Sequence, residues 1–396
     1  MSKIGIALAG GGPLGGIYEV GACVALEEAV DGLDATQADI YVGVSAGSFI
    51  AALLANGFGP RKLSRILLGN DRHLGFDPSR LLRPAWGEYA RRMRAVPRLV
   101  AEGLLEYVRS PSKGFFESLQ RLSRTLPAGV FDGAGIDAVL RQLFADTGHT
   151  NDFRQLRSRL FVIATDLDSS QAVVFGAPGR DAVPISTAVQ ASAALPGLFP
   201  PVEIDGRHYV DGALIKTLHA SVALREGVDL LLCVNPLVPF DATLAEQRDG
   251  KRHRLNDGGL PAVLGQTFRA IIRSRMRVGM ERYQHEFKNA DVLVFEPAQD
   301  DEVIFLANLF SYGDRARLCE HAYQRTRADL YRRRDELGPL LQRHGLALNV
   351  EALLDPHRTL LEPGQSQVPS TIAGSLSALE RTLDELQQRA RIGHAA

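Results

Sequence analysis

The sequence predicts an α/β fold built on a mostly parallel sheet, and three observations carry that expectation. A strand-like run, Ile4 to Ala9, ends in the glycine-rich turn Gly10-Gly11-Gly12-Pro13-Leu14-Gly15-Gly16, and an amphipathic helix follows. A second strand, Ile40 to Val44, comes after that helix, so this unit is a parallel crossover and right-handed. Further buried strands, Leu160 to Leu167 and Leu230 to Val234, are separated by helical stretches.

The bulk numbers set the frame. With 396 residues the chain can bury a large core in one domain or two. Hydrophobic residues at 45% and charged residues at 23% are ordinary for a globular protein. A net charge of −1 provides no global field, so no nucleic-acid partner is expected. Cys23, Cys233 and Cys319 are scattered and form neither a disulfide framework nor a metal spacing; buried free thiols and no cofactor are the expectation. No signal peptide precedes the first strand and no apolar run reaches about 18 residues. A cytoplasmic protein is expected, with peripheral membrane contact as a further role.

In chain order, the first helix carries Ile17, Val20, Gly21, Val24, Ala25 and Glu28 at helical spacing, an apolar face for packing on a sheet. Residues 60 to 128 read as an arginine-rich helical insertion broken by prolines. Apolar and basic residues interleave there (Trp86, Tyr89, Arg91, Arg92, Phe115, Phe116), as on a solvated helical face or on a lid that contacts lipid. Ile136 to Phe144 is a helix, and Leu160 to Leu167 turns through Asp168-Ser169-Ser170-Gln171 into the strand Ala172 to Phe175. A small-residue helix, Ile185 to Ala194, stops at Leu195-Pro196-Gly197. Val202 to Ile204 and His208 to Val210 form a hairpin through Asp205-Gly206.

Residues 241 to 259 are polar and glycine-bearing, which predicts a loop. A helix with Phe268, Ile271, Ile272, Met276 and Met280 on one side follows, with Arg269, Arg273, Arg275 and Arg277 towards the other. Such a basic amphipathic helix suits an anionic membrane or packing on its own domain. Val292 to Phe295 is a last strand and Arg315 to Arg334 a charged helix. The expected organisation is a catalytic domain at 4–235, an α-rich extension at 236–354, a linker at 355–375 and an amphipathic tail helix at 376–396. The tail has Leu376, Leu379, Leu383 and Leu386 at a/d spacing, for docking on its own domain or on a partner helix.

The chemistry centres on Tyr41-Val42-Gly43-Val44-Ser45-Ala46-Gly47-Ser48. A serine between two glycines, after a strand and before a helix, is the setting of a nucleophile elbow. Gly43 and Gly47 let the strand and helix pass without a Cβ clash. If the two N-terminal strands are neighbours, Gly11, Gly12 and Pro13 lie beside Ser45, and the glycine N–H groups can hold an oxyanion. Pro13 has no N–H, and a helix starting near Gly15 adds its positive end. An elbow this early contradicts the usual serine–acid–histidine order of an α/β-hydrolase, so the base has to be sought elsewhere. His208 and His219 are the histidines near strand ends. Asp211, within Asp211-Gly212-Ala213 at a strand end, can act as base itself if burial raises its pKa; a turn-forming Asp-Gly is the plainer reading.

Taken together, the Gly10–Gly15 turn, Gly43-Val44-Ser45-Ala46-Gly47, Ala164-Thr165-Asp166-Leu167, the run Ala191 to Val202 and Asp211-Gly212-Ala213 resemble the patatin-like phospholipases in order and context. The resemblance covers about residues 4 to 235. It implies a three-layer α/β/α fold with a central mostly parallel sheet, a helical insertion and a mostly helical C-terminal extension. It also implies a Ser45–Asp211 dyad supported by Gly43, Gly47, Gly212 and Ala213. Gly10, Gly11, Gly12 and Gly15 would form the oxyanion hole of a calcium-independent lipid acyl hydrolase. The substrate would be a lipid or phospholipid at a membrane or lipid surface. Many members carry Arg or Lys where this chain has Leu14, which bears on loop anchoring or substrate charge.

Three other readings compete. Gly10-x-Gly12-x-x-Gly15 fits a dinucleotide fingerprint, but that fingerprint wants an acid at the end of the second strand, and Asp39 lies before it. An acyltransferase or transacylase would use the same dyad with another acceptor in place of water. An inactive lipid-binding scaffold would keep the fold without turnover.

Overall fold

The computed structural model describes residues 2–68, 129–250, 255–305 and 314–361. Most of the helical insertion (69–128), most of the linker and the tail at 376–396 lie outside the described residues. In chain order the strands are β1 (Ile4–Leu8), β2 (Val30–Asp31), β3 (Ile40–Val44), β4 (Arg159–Asp166), β5 (Ala172–Phe175), β6 (Val202–Ile204), β7 (Arg207–Asp211), β8 (Leu230–Val234), β9 (Asp291–Phe295) and β10 (Ala347–Leu348). The helices that matter below are α1 (Gly12–Ala29), α2 (Ala46–Ala55), α3 (Pro60–Leu68), α4 (Ala134–Leu143), α5 (Ile185–Ser192), α6 (Ala220–Arg225), α7 (Ala242–Asp249), α8 (Gly259–Glu286), α9 (Arg315–Arg332), α10 (Arg334–Arg343) and α11 (Val350–Leu354).

The main sheet has the order β6-β7-β4-β3-β1-β8-β9, with β5 also paired to β4. β3, β1, β8, β9 and β4 run parallel, whereas β5 and the β6–β7 hairpin are antiparallel to their neighbours. Every residue of β3 and of β8 is buried, as central strands covered on both faces must be. The period-2 alternation divides their side chains between two cores. Ile6, Leu8, Tyr41, Leu160, Val162, Leu230 and Leu232 face α1, α2, α5 and α9. Ala7, Ile40, Val42, Val44, Phe161, Ile163 and Leu231 face α6 and the Tyr283 side of α8. The result is the three-layer α/β/α fold with a mostly parallel sheet. Burying one such aliphatic side chain contributes about 1.5–3 kcal/mol, so the strand register, and with it the position of each strand end, is firmly set.

Described residues beyond 236 share this sheet and core. β9 pairs with β8, and α9 packs on α1, where Tyr323 Oη donates to Glu28 at 2.6 Å. That cover explains why α1 is buried on nearly all sides rather than on the single face its spacing indicates. Two sequence readings need correction. The polar stretch after Asp241 is helical: the Asp241 carboxylate caps the N–H groups of Thr243 and Leu244 at 2.9 and 3.1 Å, and Gly250 ends the helix with φ +70°. The first helix begins at Gly12 rather than near Gly15, with Pro13 in its first turn, where a missing N–H costs nothing. No helix among the described residues is long and apolar enough to cross a membrane.

Candidate active site

β3 ends at Val44 and α2 begins at Ala46, so Ser45 is the single residue of the turn between them. Its backbone has φ +53° and ψ −125°, a region that costs a non-glycine residue about 1–3 kcal/mol. Local hydrogen bonds hold it there. The Ser45 N–H donates to Ser192 Oγ at 2.8 Å, and its carbonyl accepts from the Ser48 hydroxyl at 2.6 Å and the Ser48 N–H at 3.0 Å. The flanking glycines leave no space for side chains. A Cβ on Gly43 would lie 2.4 Å from Ser48 Cα, and one on Gly47 would lie 2.5 Å from the Ala9 carbonyl oxygen.

The carboxylate partner arrives by sheet topology. Along β4, Ile163 pairs with Val44 of β3, and the next residue, Ala164, pairs with Asp211 of β7. Both of these β4 residues also pair with β5, so β3 and β7 share the other edge of β4 in succession. β3 runs parallel to β4 and β7 antiparallel, so their C-terminal ends meet head-on. The residue after Val44 therefore faces the last residue of β7. Ser45 Oγ donates to Asp211 Oδ2 at 2.6 Å, and the other carboxylate oxygen accepts the Ala213 N–H at 2.8 Å. Both side chains are buried, at 6% and 2% exposure. Burial pushes the Asp211 carboxyl up to about 6, against the lowering from the Ser45 and Ala213 hydrogen bonds. Gly212 follows against the Ile163 carbonyl and opens the short helical turn Gly212–Leu214, which Asp211 caps through the Ala213 N–H.

The glycine loop lies where the sequence placed it. Gly10 is wedged between Ser45 and Ala213, and a Cβ there would meet Ala213 Cβ at 2.9 Å and Ser45 Cβ at 3.2 Å. The four glycines are not equivalent. The Gly10 N–H is taken by the Thr217 carbonyl at 3.0 Å and the Gly15 N–H by the Gly11 carbonyl at 3.1 Å. The N–H groups of Gly11 and Gly12, at the positive end of α1, have no partner among the described residues. Leu14 is half-buried and packs against the core. Beside Ser45 opens an apolar cavity of about 110 Å³, lined by Ile17, Phe49, Ile50, Leu67, Leu198 and Phe199 among others.

Neither histidine takes the base position. His208 is exposed on β7, while His219 is buried with Nε2 unpartnered among the described residues, and burial lowers it to about 4. All three cysteines are buried free thiols, the expected state.

A family model described as patatin-like phospholipase matches residues 6–224, more than half of the chain and all of the elements just described from β1 to α6. The chain belongs to the patatin-like phospholipase family. Membership makes this domain an enzyme of the lipid ester hydrolase class. Among solved structures, this patatin-like chain is similar to VipD from Legionella pneumophila (16% identity, TM-score 0.37, covering 82% of this chain and 66% of that one). It is also similar to the type III effector ExoU (19% identity, TM-score 0.33, 84% and 53%). A third is the ExoU complex with SpcU from Pseudomonas aeruginosa (17% identity, TM-score 0.26, 73% and 53%). The chain thus spans 66% of the VipD chain and about half of the ExoU chains.

Sequence reasoning missed the residues that lock this patatin-like site. Ser192 accepts from Ser45 and donates to the Ile163 carbonyl at 2.5 Å; two residues on, the Ala194 carbonyl accepts the Asp211 N–H at 3.0 Å. Thr165 Oγ1 donates to the Asp211 carbonyl at 3.0 Å. The small-residue run at 185–194 was visible, but its contact with both dyad residues is purely tertiary. Ser192→Ala leaves a buried N–H without an acceptor. It is expected to cost about 1–3 kcal/mol in urea unfolding and to lower ester turnover about tenfold as the elbow loosens.

Proposed function

We propose that the protein hydrolyses acyl esters of lipids, in the manner of a phospholipase A or lysophospholipase, through an acyl-serine formed on Ser45 with Asp211 as its direct base. The observation that carries this reading is the buried 2.6 Å hydrogen bond from the Ser45 hydroxyl to a carboxylate that pairs with no cation among the described residues. A serine hydroxyl is a weak nucleophile alone, and a carboxylate held near neutral pKa is the stronger for it as a base.

Asp211 Oδ2 takes the hydroxyl proton as Oγ attacks the ester carbonyl carbon. The carbonyl π electrons move onto oxygen, where the Gly11 and Gly12 N–H groups stabilise the charge. The N–H of Ala46, the residue after the nucleophile, adds a third donor at the start of α2. The tetrahedral centre collapses, the alcohol leaves with the proton from Asp211, and the acyl group stays on Oγ. Water then attacks the acyl carbon with Asp211 again as base, the bond to Oγ breaks as Asp211 returns the proton to Oγ, and the fatty acid departs. The apolar cavity beside Ser45 takes the first carbons of the acyl chain.

The test is the pH profile of kcat/KM on a short water-soluble ester. Asp211 is active only when ionised, so turnover should rise with pH through about 6 and then level off. Because the acid form of a carboxyl is neutral and its base form charged, added alcohol should move this limb to higher pH. A limb that stayed or moved down would indicate a cationic acid such as imidazolium and would contradict the dyad.

A further inference from the structure

We infer that α8 docks the enzyme on an anionic phospholipid surface, with the dyad loop directly behind it. The inference takes its lipid partner from the hydrolase reading above, but its support is independent of catalysis. The helix spans Gly259–Glu286. Its inner side is anchored: Tyr283 is buried, and Met276 and Met280 pack against the core under the sheet. Its outer side is apolar where a surface helix is normally polar. Val263, Leu264, Phe268, Ile271 and Val278 are 40–63% exposed, and they make up five of the ten large hydrophobic residues exposed among the described residues.

Their spacing is ordered. Leu264, Ile271 and Val278 are seven apart and share one line along the helix. Phe268, Arg275 and Arg282, also seven apart, form the adjoining line. Arg277, exposed and without a partner among the described residues, flanks the opposite rim. Between residues 259 and 280 there is no Asp or Glu. The arginines of this helix do not all share one task, as spacing alone had indicated. Arg273 pairs with Glu296, and Arg269 lies over the Phe305 ring at 4.8 Å. Arg275 and Arg277 make no ion pair among the described residues, and Arg277 makes no hydrogen bond there either, so its charge remains available to anionic headgroups.

Position links this face to the site. Phe268, Ile271 and Arg275 of the exposed stripe, with Met276 and Met280 further in, form one wall of a cleft whose other wall is the segment Ala213–Leu218, which leaves Asp211. Arg275 Nη1 donates to the carbonyls of Leu214 and Ile215 at 3.4 and 3.3 Å, and Lys216 Nζ donates to Tyr283 Oη at 2.8 Å. An apolar stripe with cationic rims matches the acyl–headgroup boundary of an anionic bilayer, into which such helices sink by about 5–10 Å.

The experiment uses the full chain carrying Ser45→Ala, so that vesicles stay intact. Co-sedimentation is measured with vesicles of phosphatidylcholine alone and of phosphatidylcholine mixed with phosphatidylserine. Stronger binding to the mixed vesicles is expected, weakening as salt is added. Leu264→Glu with Val278→Glu, both solvent-facing, should lower that binding about tenfold or more, and Arg277→Gln should flatten its salt dependence. In protein retaining Ser45, the same Leu264 and Val278 changes should leave short-ester turnover at the parent level. A failed hydrolase reading would show instead as turnover that survives Ser45→Ala. The docking inference is overturned if the double variant binds mixed vesicles like its parent or if the parent binds neither vesicle. It is equally overturned if binding emerges only on removal of residues 376–396, which would mean that the tail owns this face.

Discussion

Asp211→Asn is expected to lower ester turnover by about three to four orders of magnitude while making the folded protein more stable at neutral pH. The loss follows from removing the carboxylate to which the Ser45 hydroxyl donates. The gain follows from burial. Asp211 is 2% exposed, and desolvation is the leading cause of a carboxyl raised from 3.8 to about 6. The folded state therefore holds this proton to higher pH than the unfolded chain does. The favourable contribution is fully present below about pH 4 and is lost as pH rises through about 6. A rise of roughly two units corresponds to about 3 kcal/mol of strain carried by the ionised carboxylate at pH 7. Asparagine keeps the shape and removes the charge. Urea unfolding should show the variant ahead of its parent at pH 7, by up to about 3 kcal/mol, with the difference closing towards pH 4. A variant less stable than its parent at pH 7 would mean that the carboxylate is well compensated where it sits.

Gly47→Ala should be strongly damaging for a single added methyl. The new Cβ would come within 2.5 Å of the Ala9 carbonyl oxygen and 2.6 Å of the Leu8 carbonyl group, all backbone of the β1 end. No side chain can turn away to make room, so α2 must move off the sheet and take the elbow with it. A destabilisation of about 3–5 kcal/mol is expected, with turnover at least about 10²-fold down because Ser45 and the glycine loop part company. Gly265→Ala is the matched control. It lies in α8 with nothing within 4 Å of the added methyl, and should be neutral or gain a few tenths of a kcal/mol. Equal behaviour of the two would show that close backbone approach does not hold the elbow.

How much of this could be read beforehand depended on whether the signal was local. The elbow was legible because strand, serine, glycines and helix are contiguous. The Ser45–Asp211 contact was reachable by an argument from motif order, since the elbow came too early for the usual serine–acid–histidine sequence, and the family motifs then pointed to Asp211. Ser192 was not legible: a serine in a small-residue helix does not announce that its hydroxyl will hold an N–H 147 residues away. The glycine loop was legible as a loop, but not as four glycines with different hydrogen-bonding, because the acceptor of Gly10 is the Thr217 carbonyl on a distant segment. The helix α7 was missed because polar composition outweighed its two end signals, Asp241 and Gly250, which were in plain view. The exposed stripe on α8 was half-read. Its period was right, but only packing decides which of Phe268, Ile271, Met276 and Met280 face inwards.

The dyad is tested most directly by reacting the protein with a fluorophosphonate and locating the adduct by mass spectrometry, with Asp211→Asn alongside. The expected result is a single phosphonylated residue, Ser45, formed quickly in the parent and at a small fraction of that rate in Asp211→Asn. An adduct on another residue, or equal labelling rates in the two proteins, would contradict a serine activated by Asp211.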